Sequence, residues 1–173
     1  MPAVVFLRAV NVGKANRCQP AAIAKELARF DVVNIGAVGT FVVRKDVSES
    51  ALRAAFAREL PFNCDIMICS ARSVLKLAAK NPFAGYPPDP TITRFVNILH
   101  KPLRKRPPLP LGFPSDKEWI AKIIRIEGRF VLGVYRREMK AIGYLGKIEK
   151  QFGIPATNRN WNTIEKVVKV LGT

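Results

Sequence analysis

Acidic residues, histidines and paired cysteines are scarce in this sequence. Asp and Glu number 13 against 29 Lys and Arg, a formal net charge of +16. Such an excess repels itself and attracts polyanions, so nucleic acid or a phosphorylated small molecule is the expected partner. The plain alternative is a solvated basic surface. His100 is the only histidine, which argues against a multi-histidine metal site or a Ser-His-Asp triad. No Gly-x-Ser-x-Gly or His-Glu-x-x-His occurs, and no carboxylate pair has a spacing that suggests acid-base work. No catalytic residue, metal site or cofactor is therefore expected. An enzyme built on Arg, Lys and Asn stays open, because such sites leave weak signatures.

Cys18, Cys64 and Cys69 form no Cys-x-x-Cys pair, and an odd number spread this way fits reduced thiols. Cys64 and Cys69 are expected on opposite faces of one strand. No stretch approaches the roughly 20 apolar residues of a membrane span, and the start lacks a basic segment before its apolar run. A cytoplasmic protein without membrane contact is the expectation.

What the chain does have is a 49% apolar composition over 173 residues, enough to bury a core without disulfides. Residues 4–10 form an apolar, β-branched run suited to a buried strand. After a loop over residues 11–17, Pro20 can open a helix whose Ile23, Leu27 and Phe30 share a face. Strands are expected over residues 32–35 and 40–45. Ser48 is placed to cap a helix with Leu52, Phe56 and Leu60 on one side, and a fourth strand follows at residues 65–69. The order β-α-β-β-α-β over residues 3–70 predicts an α+β fold with a ferredoxin-like first half, residues 1–70. Residues 71–173 are expected to form a smaller α+β subdomain packed against it.

In that second half a helix stops at Asn81-Pro82, and residues 93–99 read as a strand. Residues 101–114, with five prolines and four basic residues, read as a loop. A hairpin turns at Glu127-Gly128, and a helix over residues 142–152 ends at Gly153. The last helix carries Trp161, Ile164, Val167, Val168 and Leu171 on one stripe.

Three segments carry kinship. They are Leu7-Arg8-Ala9-Val10-Asn11-Val12-Gly13-Lys14-Ala15-Asn16-Arg17, Asn81-Pro82-Phe83, and Thr157-Asn158-Arg159-Asn160-Trp161-Asn162-Thr163. Together they resemble the bacterial domain of unknown function 1697 family, across essentially the whole chain. The resemblance implies an α+β protein with a ferredoxin-like part and brings no established substrate, cofactor or catalytic residue. Where that family usually has Gln-Ser-Gly-Asn, this chain carries Ala37-Val38-Gly39-Thr40.

Two segments are candidate anion sites. The opening loop joins a strand to a helix, and Arg8, Asn11, Lys14, Asn16 and Arg17 surround backbone amides that suit a phosphate. It is no Walker A loop, because Lys14 is followed by Ala15. The folding alternative is a tight connection in which the asparagines satisfy backbone groups. In the closing segment Asn160 is placed to cap the last helix and Trp161 to anchor the core. Arg159 and Asn162 then remain to face a ligand, which on the alternative reading is a phosphorylated or carboxylate small molecule in a cleft between the two halves. Basic runs at Lys101, Arg104, Lys105 and Arg106, and at Arg136, Arg137 and Lys140, would add phosphate contacts. Phe6 and Phe41 occupy strands whose aromatics stack bases in RNA-recognition domains.

Overall fold

Residues 3–70 lay down β-α-β-β-α-β in the expected order: β1 (Ala3–Leu7), α1 (Pro20–Glu26), β2 (Val32–Asn34), β3 (Thr40–Val43), α2 (Glu49–Glu59) and β4 (Ile66–Ser70). The computed structural model describes residues 1–172. It divides into two units by contact: residues 1–79 with 163–173, and residues 80–162.

In the first unit the four strands form one antiparallel sheet in the order β2-β3-β1-β4. Val5, Leu7, Phe41, Val43, Ile66 and Ile68 meet Ile23 and Leu27 from the α1 region and Leu52 and Phe56 from α2. The Phe41 and Phe56 rings stand 5.0 Å apart. The alternate residues Val4, Phe6, Val42, Met67 and Cys69 are buried as well, and α3 (Ala71–Ala79) lies against β1 and β4. Burial on both faces is why these strands read as continuous apolar runs. It also removes Phe6 and Phe41 from any base-stacking role, since both are fully buried.

Local signals place the helix ends. Ser48 accepts from the Ala51 amide, and Ser70 does the same for Ser73 at the start of α3. Pro20 opens α1 at the one position where a missing N–H is harmless. Cys64 falls before β4 rather than within it, so the strand-face argument applies to Cys69 alone.

The second unit is a five-stranded antiparallel sheet in the order β6-β7-β8-β5-β9. Its strands are β5 (Ile92–Leu99), β6 (Leu111–Pro114), β7 (Trp119–Glu127), β8 (Phe130–Arg136) and β9 (Ala156–Asn160). α4 (Lys140–Phe152) adds Ile148 to a core of Phe95, Leu99, Ala121, Ile123 and Val131. Gly153 takes the left-handed conformation (φ 62°) and donates back to Glu149 and Lys150, which ends α4.

Two strands here were not legible. β6 lies within the segment expected to be a loop. It survives its proline because it is the sheet's edge strand, where Pro114 need not donate. β9 occupies most of the closing segment, where only a helix start was expected. Asparagine-rich Ala-Thr-Asn-Arg-Asn has poor strand propensity, and its pairing with residues 95–99 of β5 sets its conformation. α5 (Trp161–Leu171) follows directly. Among the described residues no helix is long and apolar enough to cross a membrane.

Candidate anion-binding site

β5 is longer than its partner at one end. β9 pairs only as far as Phe95, so residues 92–94 extend past it, just where the chain leaves β9 and turns into α5. A pocket of about 300 Å3 fills that corner, lined among others by Thr93, Arg94, Arg137, Asn160, Asn162 and Asp89. All of these belong to the second unit.

Each asparagine of the closing segment has a separate task. Asn158 donates to Asn97 Oδ1 at 2.7 Å, and the two residues are register partners across β9 and β5. Asn160 Oδ1 caps α5 by accepting the Asn162 amide at 3.0 Å. Asn162 Oδ1 accepts from Arg94 Nη2 at 3.2 Å. With their oxygens engaged, Asn160 and Asn162 keep NH2 groups that can donate, and both residues line the pocket. Arg137 is fixed from the other side, its Nε on Thr93 Oγ1 at 3.2 Å and its amide on the Thr91 carbonyl. The lining is thus rich in donors and carries two guanidiniums, the chemistry that receives an oxyanion. Asp89 is the counterweight. Its carboxylate accepts from the Thr91 hydroxyl and amide, which hold its pKa below the usual range with a further contribution from Arg137, so it stays charged.

Arg159 lies on β9 and is 5% exposed. Its Nη1 donates to Thr157 Oγ1 at 2.7 Å and to the Asn158 carbonyl at 2.8 Å. Desolvation lowers its pKa to about 10, still far enough above neutrality to keep it charged. It is not among the residues that line the pocket.

The opening loop belongs to the first unit. Asn11 takes a positive φ of 55° and spends its side chain on the backbone, donating to the Cys18 and Ala37 carbonyls and accepting the Cys18 amide. Asn16, also at positive φ, donates to the Ala9 carbonyl. Arg8 pairs with Asp65 at 3.2 Å, and both line a second pocket of about 450 Å3 with Asn16 and Cys64. Burial pushes the Cys64 thiol pKa up, which disfavours a nucleophilic thiolate there. Lys14 and Arg17 are exposed. The start of α1 offers few amides, because Pro20 has none and those of Ala22 and Ile23 go to the Gln19 carbonyl.

Arg94 and Arg137 are the site residues that sequence reasoning missed as a pair. Arg94 sits in a mostly apolar strand and reads as its one charged interruption. Arg137 was noted only as part of a basic run. What joins them is the end of β9, which no local pattern announced.

Fold and site together define a basic α+β protein with a donor-lined pocket at a sheet corner. The chain belongs to the family described as protein of unknown function (DUF1697), whose profile matches residues 1–108. The matched span holds the opening segment and Asn81-Pro82-Phe83, while the closing segment lies beyond it. Among solved structures, the chain resembles the conserved bacterial protein SP0830 from Streptococcus pneumoniae, at 15% identity over 98% of each chain with a TM-score of 0.59. That likeness is one of fold. No curated protein matches the chain.

Proposed function

We propose that this protein binds anions and contacts nucleic-acid phosphates through its second unit. The observation that carries this reading is the convergence of Arg94, Arg137, Asn160 and Asn162 on one pocket. The surrounding charge supports it: residues 80–162 hold 16 Lys and Arg against 6 Asp and Glu, an excess of ten. Lys101, Arg104 and Lys105, all exposed in the loop after β5, extend the positive field. Binding of this kind rests on phosphate neutralisation and counterion release, so affinity falls steeply with salt and discriminates bases little. Lys14 and Arg17 on the first unit add exposed positive charge without a built pocket. The free thiols Cys18, Cys64 and Cys69 fit a reducing, cytoplasmic setting.

Mobility-shift titrations with DNA and RNA at several salt concentrations test the proposal. Retardation at low salt that fades as salt rises is the expected result, and no retardation at low salt would refute it. A phosphorylated small molecule is the second reading, favoured by the pocket's volume, which is at the lower end of small-ligand sites. Melting shifts from a metabolite panel, absent with nucleic acid, would select it.

A further inference from the structure

Outside the pocket, the second unit carries a cluster in which cations and aromatic rings alternate. Lys122 Nζ lies 4.4 Å from the Trp119 ring centroid and 4.9 Å from that of Tyr86, and the Arg136 guanidinium lies 4.0 Å from Trp119. Trp119 and Tyr86 are both half-buried, so neither residue is sealed inside the core. We infer that Trp119 is a stacking platform for an unpaired base, which makes the partner a single-stranded nucleic acid. This inference rests on the phosphate-binding reading above and adds the selectivity that reading lacks.

The position of Trp119 depends on an irregularity in the sheet. In a regular strand residues 119 and 122 would point to opposite faces, their separation being odd. Opposite β6, however, Phe113 pairs with Ala121 and Pro114 with Trp119, so β7 advances two residues where β6 advances one. A bulge of this kind re-aims a side chain, and here it accompanies the approach of the indole to Lys122. Arg136 then holds the backbone as well, donating from Nε to the Trp119 carbonyl at 2.9 Å. A large ring is thereby fixed at the start of β7, beside the edge strand β6, with cations on it.

The cluster also adjoins the pocket. Arg136 is the register partner of Ile92, which lines it, and Arg137 follows Arg136 in sequence. Arg136, on Trp119 and opposite Ile92, is the link by which a strand with its phosphate between Arg94 and Arg137 would reach the indole. Single-strand binders combine these two parts, a cationic track for the backbone and aromatic faces for successive bases. The cations now over the indole do not block this. Base stacking on an aromatic outweighs an exposed cation–π contact, and a displaced Lys122, on its flexible stem, is left beside the incoming phosphate. Glu118 next to Trp119 opposes a phosphate directly at the ring, so the base rather than the backbone is the group expected there.

The chain has two tryptophans, and Trp161 is 5% exposed, so Trp119 is the responsive fluorophore. The full chain is titrated with labelled oligothymidylate and oligouridylate of about a dozen residues and with a duplex of similar length, over salt from roughly 50 to 200 mM. Indole quenching by the single strands is expected. Trp119→Ala is expected to weaken single-strand binding about 10-fold, up to ~100-fold, with duplex affinity and the salt slope unchanged. Trp119→Phe should keep most of the affinity, which separates stacking from a folding defect. A similar affinity for the two oligomers places recognition on the base face, while a preference for one adds a contact to the thymine methyl or the 2′-OH on top of stacking. Equal loss on single strand and duplex, no loss at all, or saturation without quenching overturns the platform and leaves phosphate binding standing. Failure of the unaltered chain to bind any of the three at low salt overturns both.

Discussion

The Phe83 and Trp161 rings meet in a tilted contact, with centroids 5.0 Å apart and planes at 58°. Both are nearly inaccessible. Phe83 comes from the Asn81-Pro82-Phe83 turn and Trp161 from the closing segment, so two stretches that are uninformative about each other in sequence share one apolar contact. The Arg94 guanidinium lies 5.8 Å from the Phe83 ring and binds Asn162, the residue after Trp161. The contact thus stands immediately behind the pocket and positions its cation.

Phe83→Ala should cost about 3 kcal/mol or more, since it removes a buried ring and leaves Trp161 facing a cavity. Thermal or urea denaturation measures this. A loss below ~1 kcal/mol would show that the ring contact does not hold the turn.

Gly133 in β8 has no room for a side chain. A Cβ there would stand 2.6 Å from the fully buried Phe95 ring and would clash with the Lys122 carbonyl on the neighbouring strand. Gly133→Ala is therefore expected to destabilise by about 1–3 kcal/mol. For a chain of this size the melting temperature should fall by ~2–4 °C per kcal/mol, and an unchanged melting point would contradict the packing argument.

At the pocket, Arg94→Ala and Arg137→Ala should each weaken nucleic-acid binding and lower the slope of log K against log salt by about 1. Lys25→Ala, on α1 of the first unit, serves as the control for mere loss of charge. If all three variants behave alike, the pocket has no special part in binding.

Glu127 sets an acid-side effect. The Lys80 hydrogen bond, at 2.8 Å, lowers its pKa most; burial opposes it, and Arg125 adds a further lowering. In the window between the folded value and the unfolded value near ~4.3, the unfolded chain binds more protons. Stability therefore rises with pH there; the contribution is present above the unfolded value and is lost as pH falls through the folded one. Screening at this partly exposed site keeps it to about 0.5 kcal/mol. Glu127→Gln should lower the melting point slightly at pH 7 and by progressively less as the pH falls through the folded value, so an equal drop throughout would rule out the ion pair as the cause.

Where local chemistry suffices, the sequence was readable. Ser48 starts its helix and Gly153 ends its own as side chain and backbone freedom dictate, and the first sheet's strands follow from apolar runs. The site was readable only in part. Asn160 and Asn162 were singled out and do line the pocket, whereas Arg94 and Arg137 gain meaning only through the edge that β9 leaves open. The opening-loop asparagines proved to be bound to their own backbone, a use that short polar side chains at positive φ serve and that sequence could pose only as an alternative.

By itself the sequence determined the α+β composition, the order β-α-β-β-α-β, the family and the basic charge, because each depends on residue types and short-range periodicity. Tertiary structure alone decided that Ala156–Asn160 is a strand, that Asn158 bonds Asn97 and Asn162 bonds Arg94, and that Trp119 stands alongside Lys122 next to a bulge. The physical reason is common to all three. Each depends on how one strand pairs with another, and that pairing overrides what the segment prefers by itself.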